Sequence, residues 1–452
     1  MEHDGDLTKA PIPQLIRRLA APAAMGMMAH TLFSIIDTYY AGTVSTEALA
    51  GLSAAFPVIF VIIAFAAGIS TGVTALVSNA IGRGDQDEGR RLAAQSLTFG
   101  CVISVGVTLV GWQSAPWLFE QLGAEGAYLE SALEYTYWMF AGTVLFVLTS
   151  SLNGALVAIG DTRTSRDAAI AGVLANLLLD PWFVRGGFGL PPMGVKGIAL
   201  ATLLVEAGSL LFIAWRAKRS GMLNGQSLAR LWPCKRLVLD LLRQSLPGTI
   251  NMMSIAAGIF ILTLFAGRFG PEAVAGFGIA VRLEQLALLP IIGFNVSSIA
   301  LAGQNYGAGR LDRVRETLQH TWRYCLIISL IGGVIVYPAA RILVACFSND
   351  PAVIEAAVGY LRVTIFILWA YGLMFTTVTT LQGMKHPMFA VWIGLFRQVL
   401  APLIMIPIGI RWWGLEGIWW GIFVVKWTAA AITLAYASRF LRRKEREQLQ
   451  EK

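Results

Sequence analysis

The chain of 452 residues is 56% hydrophobic and only 14% charged, with a formal net charge of +8 at neutral pH. A soluble domain carries roughly 25% charge, so this composition excludes a water-soluble globular protein and requires a surface that faces lipid. Apolar stretches of about 20 residues recur along the chain, and runs such as Phe56–Ala67 and Val102–Val110 do not alternate, which excludes a membrane β-barrel.

The first residues, up to Gln14, are polar and charged without a short apolar core and cleavage site, so no removable signal peptide is expected. Twelve membrane-spanning helices are predicted, at about 15–41, 53–80, 92–114, 128–157, 165–185, 195–217, 240–267, 275–304, 317–338, 354–382, 388–410 and 414–440. The first carries Pro22, which lacks a backbone donor and can form a bend point. About four turns further on it carries Asp37. An ionisable side chain inside a span costs several kcal/mol and is a functional hypothesis by default.

The fifth span ends in Asn176-Leu177-Leu178-Leu179-Asp180. Asn176 and Asp180, at i and i+4, share one helix face and suggest the lining of a polar cavity, although Pro181 follows at once and also fits a plain helix end. The sixth span offers Thr202 as a third partner, or as a hydroxyl bonded back to its own helix, and it also holds Glu206. In the second half, Arg282 and Glu284 fall in the eighth span, Arg397 in the eleventh and Lys426 in the twelfth. Arg282 and Glu284 are two residues apart and cannot face each other, so each needs a partner on another helix. These four form a candidate polar network, whose simplest role is to hold the second bundle together by ion pairs.

The run Gly303-Gln304-Asn305-Tyr306-Gly307-Ala308-Gly309 marks a helix end and a tight turn. It lacks the GK[ST] ending and the preceding strand of a phosphate loop. The four cysteines have no CxxC spacing and the four histidines no HExxH pattern, so no metal site or disulfide framework is expected.

Residues 18–90, displaced by 225 positions without a gap, fall on their own likeness. Arg18 meets Arg243, Pro22 meets Pro247, Met27-Met28 meets Met252-Met253, Ala41-Gly42 meets Ala266-Gly267, Gly68 meets Gly293 and Arg90 meets Arg315. A period of half the chain is too long for a solenoid and suits a transporter built of two homologous bundles. Six helices per half is an even number, so both halves insert in the same orientation. The expected fold is therefore an all-α integral membrane protein of twelve helices, in two homologous six-helix lobes related by a parallel pseudo-two-fold axis. Asp37 meets Leu262 in the repeat, so the fold itself does not demand the carboxylate.

Of the 35 basic residues, 25 fall in alternate connections and the two ends, from Lys9, Arg17 and Arg18 through Arg83, Arg163, Arg216 and Arg310 to Arg439 and Lys452. The opposite connections hold only Arg185, Lys196, Arg268, Arg341 and Arg411. The positive-inside rule then predicts a multi-pass protein of the cell membrane with both termini cytoplasmic. The net charge is a topology signal with attraction to anionic lipid, and no nucleic-acid partner is expected. The organisation expected is an N-terminal lobe over 1–217, a cytoplasmic linker over 218–239, a second lobe over 240–440 and a basic tail over 441–452.

Six motifs in order resemble the multidrug and toxic compound extrusion (MATE) family. They are Asp37 with Ala41-Gly42, Val77-Ser78-Asn79-Ala80-Ile81-Gly82-Arg83-Gly84-Asp85, Gly160-Asp161-Thr162-Arg163, Asn176-Leu177-Leu178-Leu179-Asp180, Gly194-Val195-Lys196-Gly197-Ile198-Ala199-Leu200-Ala201-Thr202, and the Gly303–Gly309 run. The resemblance covers nearly all of the chain. It implies two lobes around a central cavity and export of amphipathic, often cationic drugs by antiport against protons or sodium, with no other cofactor. It implies a transporter and not an enzyme, embedded in lipid, here read as a monomer. The chain is similar to the DinF-like branch, which implies a coupling network of Asp37, Asn176, Asp180 and Thr202, with Pro22 as the bend of the first helix. NorM-like members use acidic residues in the seventh and tenth helices. Here Ile250–Gly267 has none, and the tenth has only Glu355 at its end.

Two carboxylates held together away from water cannot both stay ionised cheaply, so Asp37 and Asp180 are expected to exchange a proton for drug. Sodium would use the same oxygens. A lipid or lipid-linked oligosaccharide flippase of the related superfamily is the alternative. It should place several basic residues centrally, which the first six spans lack and which Arg282, Arg397 and Lys426 supply in the second half.

Overall fold

The computed structural model describes residues 6–121, 123–187, 189–223 and 231–450. Residues 224–230 of the expected linker and 451–452 of the expected tail lie outside them. Among the described residues the chain is helical throughout, apart from short turns and one isolated bridge between Gly187 and Leu190.

The helices are α1 (Ile12–Val44), α2 (Thr46–Gly82), α3 (Gln86–Gln121), α4 (Gly126–Ala141), α5 (Thr143–Ala158), α6 (Arg163–Arg185) and α7 (Gly194–Arg219). They continue with α8 (Lys235–Ala266), α9 (Pro271–Gly307), α10 (Leu311–Ala345), α11 (Pro351–Gly383), α12 (Met388–Leu395) and α13 (Ala401–Gln450). A π-helical turn, Phe396–Leu400, joins the last two.

Ten helical segments are long and apolar enough to cross a membrane, and α4 with α5 makes a further span bent by 45°. The last of the ten, 388–450, is itself broken at Trp413 and Gly414, where glycine supplies the left-handed φ of 55°. That division yields the twelve predicted spans. Most helices overrun the predicted limits, because hydropathy marks only the apolar stretch while a helix continues to its cap. The Ser45 hydroxyl accepts from Ala48 N–H at 3.0 Å to start α2. At α11, Asp350 accepts from Ala352 N–H at 2.8 Å, with Pro351 in the first turn.

The chain forms two compact units, one of Met25–Thr249 and one of Ile250–Lys452 with Met1–Ala24. The boundaries Ala24/Met25 and Thr249/Ile250 are themselves 225 residues apart. In the first unit α2 packs on α3, α4 and α5, and α6 packs on α7; in the second, α11 packs on α9, α10 and α13. By contrast α1 makes very few close backbone approaches to other helices.

Glycine allows the tightest seams. A Cβ on Gly68 would lie 2.8 Å from the Ser245 carbonyl oxygen and collide with Thr249, all within the first unit. A Cβ on Gly293 would collide with the Ala20 carbonyl and come within 3.0 Å of the Ala24 methyl, all within the second. Gly68, Ser245 and Thr249 are the +225 counterparts of Gly293, Ala20 and Ala24, so the same seam is built twice.

Candidate functional site

Four of the residues singled out in the sequence converge inside the first unit. Asp37 comes from α1, Asn176 and Asp180 from successive turns of one face of α6, and Thr202 from α7. All are buried: Asn176 and Asp180 are fully enclosed, Thr202 is 5% exposed and Asp37 7%. The Asn176 amide nitrogen donates to Asp37 Oδ1 at 2.7 Å and to Asp180 Oδ2 at 2.9 Å. Thr202 Oγ1 donates to the other Asp37 oxygen at 3.2 Å. The hydroxyl therefore turns to the carboxylate rather than to its own helix. Both bridged carboxylate oxygens lie within 3 Å of one nitrogen, which holds the two groups within about 6 Å of each other.

The pocket is not saturated. Asp180 Oδ1 and Asn176 Oδ1 are buried without a hydrogen-bond partner. A buried acceptor left unpaired costs about 1–3 kcal/mol, and a proton on Asp180 would relieve part of that cost. Pro181 follows without ending α6, which runs four residues further to Arg185.

Pro22 is buried within α1, three residues before the boundary between the units, and the helix is continuous across it. Glu206 is half-buried one turn beyond Thr202 on α7.

The second-half candidates separate. Arg282 is exposed on α9. Glu284, 6% exposed, accepts a hydrogen bond from the Tyr360 hydroxyl at 2.6 Å. Tyr360 is fixed by edge-on contacts with Phe277 and Trp419 at ring-centroid distances of 5.4 and 5.1 Å. Lys426 donates to Gln398 Oε1 at 2.9 Å and lies over the Tyr371 ring, while Arg397 lies over the Phe375 ring. No ion pair joins these charges among the described residues, so the expected bundle-holding ion pairs are replaced by hydrogen bonds and ring contacts. Tyr360, Tyr371 and Gln398 carry no charge and gave no signal in the sequence.

The Gly160-Asp161-Thr162-Arg163 motif is structural. Asp161 Oδ1 accepts from the backbone N–H of Arg163 and Thr164 at 3.1 and 3.0 Å, and Arg216 reaches Oδ2 at 3.2 Å. Burial alone would push this carboxyl up. The Thr164 hydroxyl and backbone N–H and the Arg216 guanidinium outweigh burial and hold it below the usual carboxylate range.

A duplicated bundle of twelve spans with a shared carboxylate pocket in one half has the build of a secondary membrane transporter. The MatE family model matches residues 22–182 and again 247–408, and the chain belongs to the MatE family of membrane transporters. The two matches begin 225 residues apart, as the internal repeat requires. The chain is 27% identical to a FAD transporter of Shewanella oneidensis over 91% of each protein. It is also 27% identical to a probable multidrug resistance protein NorM of Thermotoga maritima, over 92% of this chain and 90% of the relative. A solved outward-facing multidrug resistance MATE family transporter of the MOP superfamily superposes with a TM-score of 0.90 at 26% identity, over 97% of this chain and 98% of its own.

Proposed function

We propose that this protein is a secondary active exporter that drives amphipathic organic cations out of the cell by antiport against protons, with coupling at Asp37, Asn176, Asp180 and Thr202 in the manner of the DinF-like branch. The observation that carries the reading is the Asn176 amide that donates to both carboxylates in a pocket closed to water. The multidrug relatives supply the substrate class. The crowding of Lys and Arg in alternate connections supports a cell-membrane topology with cytoplasmic termini.

In this reading the bridge is competent only while both carboxylates accept. A proton on Asp180 or Asp37 turns an acceptor oxygen into a donor and cuts the charge that the amide compensates. Asp37 is then released from, or drawn further into, the α6–α7 surface. Because α1 has few other close approaches, that change reaches the whole helix, and Pro22 supplies a point where its ladder is one bond short. A proton drives transport only through different affinities for the two arrangements. One proton exchanged for one monovalent cation is electroneutral, so each pH unit across the membrane supplies about 1.4 kcal/mol.

The donor set fits a proton better than sodium. The pocket offers two carboxylates, one amide and one hydroxyl, but the amide nitrogen occupies the point between the carboxylates that a cation would take. The Thr202 hydroxyl likewise presents its proton to Asp37.

The test is ethidium efflux from drug-sensitised cells by wild type, Asp37→Asn and Asp180→Asn, with an uncoupler arm and a sodium-free arm. Wild-type efflux that the uncoupler abolishes and that both variants lose, at normal membrane abundance, is expected. Efflux by Asp37→Asn at the wild-type rate would overturn the coupling assignment. Loss of efflux in sodium-free buffer would transfer the role to sodium.

A further inference from the structure

The second unit holds two buried cations that the exporter mechanism does not use. Arg397 and Lys426 are 2% and 4% exposed. Taking a cation out of water costs several kcal/mol unless an anion compensates. Glu284 is the nearby carboxylate, and it is engaged by the Tyr360 hydroxyl rather than by either cation. Lys426 uses one of its three donors, on Gln398. Among the described residues the Arg397 guanidinium has no hydrogen bond or ion pair, only the face of Phe375 at 4.7 Å. With Glu284 ionised, the cluster still carries one uncompensated positive charge.

The backbone has been deformed to make this cluster. Arg397 and Gln398 sit in the π-helical turn Phe396–Leu400, whose extra residue rotates the following face. Both neighbours are buried, although consecutive residues of a regular helix point about 100° apart. Lys426 lies about twelve residues past the break at Gly414 and Glu284 about thirteen past the start of α9, near ~20 Å in each case. That depth is far from either aqueous surface, where a stray cation would be most costly.

We propose that Arg397, Lys426 and Gln398 form an anion subsite that receives an oxyanion, carboxylate or phosphate, of an amphipathic substrate. Arginine supplies a planar fork suited to such a group and lysine a movable point charge. The Gln398 amide stands beside both as a further donor. Glu284, held back by Tyr360, limits the net charge so that the site discharges its ligand instead of retaining it. The assignment rests on the exporter reading for its substrate route and widens it from cations to zwitterions and anions.

Two matched pairs of fluorescent probes test it on the purified full-length protein. Rhodamine 110 bears a free carboxylate and rhodamine 123 its methyl ester. Riboflavin 5′-phosphate bears a phosphate that riboflavin lacks. In at least one pair the anionic member is expected to bind about tenfold more tightly, and the pair that responds tells carboxylate from phosphate. Arg397→Gln and Lys426→Gln should erase that preference while leaving rhodamine 123 binding unchanged, and Arg397→Lys should keep part of it. Glu284→Gln removes the competing charge and should strengthen the preference, a gain that misfolding cannot mimic. No preference in either pair, or a preference that survives the double Arg397→Gln, Lys426→Gln variant, overturns the subsite. Retained rhodamine 123 binding in that case leaves the cation-exporter reading standing, whereas loss of it in wild type would sink that reading instead.

Discussion

At the scale of single residues, Asn176 is the part of the coupling pocket that neither charge nor titration would flag, yet it joins the two carboxylates. Asn176→Leu keeps the approximate volume and removes both bonds, leaving two acids facing each other without a donor. Its efflux should fall by about a hundredfold, since a hydrogen bond to a charged group is worth roughly 1.5–3 kcal/mol and two are lost. Ethidium efflux at equal membrane abundance measures it. Asp161 makes a contrasting prediction. Asp161→Ala removes the cap of α6 and should cost about 1 kcal/mol, read as a lower melting temperature of the purified protein. Because its carboxyl is held below the usual range, its stabilising effect is complete above that range and is lost as the pH falls through its own depressed value. The melting-temperature gap should therefore narrow in acid and stay constant between neutral and mildly alkaline pH.

These two aspartates also mark what the sequence could disclose. Asp37 and Asp180 stood out because a charge in an apolar run has no cheap structural explanation, and the Leu262 counterpart made Asp37 dispensable for the fold. Asn176 was legible only through its i+4 spacing to Asp180. Gln398 and Tyr360 were not legible, because neutral polar residues are common in spans. Nothing in the local pattern announced the π-helical turn that aims Gln398 and Arg397 the same way. Arg282 misled for the opposite reason: a charge within a predicted span proved to sit on an exposed face.

At the scale of helices, the sparse packing of α1 contrasts with the dense contacts of α2, α9 and α11. The glycine seams are where the loosely held helices approach others most closely. Gly68→Val and Gly293→Val would each drive side-chain atoms into backbone, with an overpacking cost of about 1–3 kcal/mol. Both should lower the melting temperature and slow efflux to similar extents, because the two seams are counterparts. Gly106 on α3 has open space where its Cβ would stand, so Gly106→Val is the control and should behave as wild type. Unequal effects of the two seam variants would show that the repeat is symmetric in geometry and not in use. Helix number and order were legible from hydropathy, whereas the seams were not, since a repeated glycine states only that something approaches it.

At the scale of the molecule, the division of the chain does not follow the sequence midpoint. Each compact unit contains the opening half of the other repeat's first helix: Met1–Ala24 joins the second, and the segment up to Thr249 joins the first. A chain severed between residues 224 and 230 should therefore yield fragments that are each unstable in the membrane when expressed alone. Expressed together they should restore ethidium efflux to within about tenfold of the intact protein, the shortfall reflecting the lost tether. A fragment that is stable and monomeric alone would contradict the exchange.

That exchange carries a history. A gene for one repeat would encode an opening helix whose first half finds its groove only on another copy, so its product would complete itself by trading that arm with a sister chain. Joining two copies end to end turned the trade between strangers into one within a single molecule. It also freed each arm to diverge against a fixed neighbour, which is how one half came to keep an aspartate where the other settled for leucine.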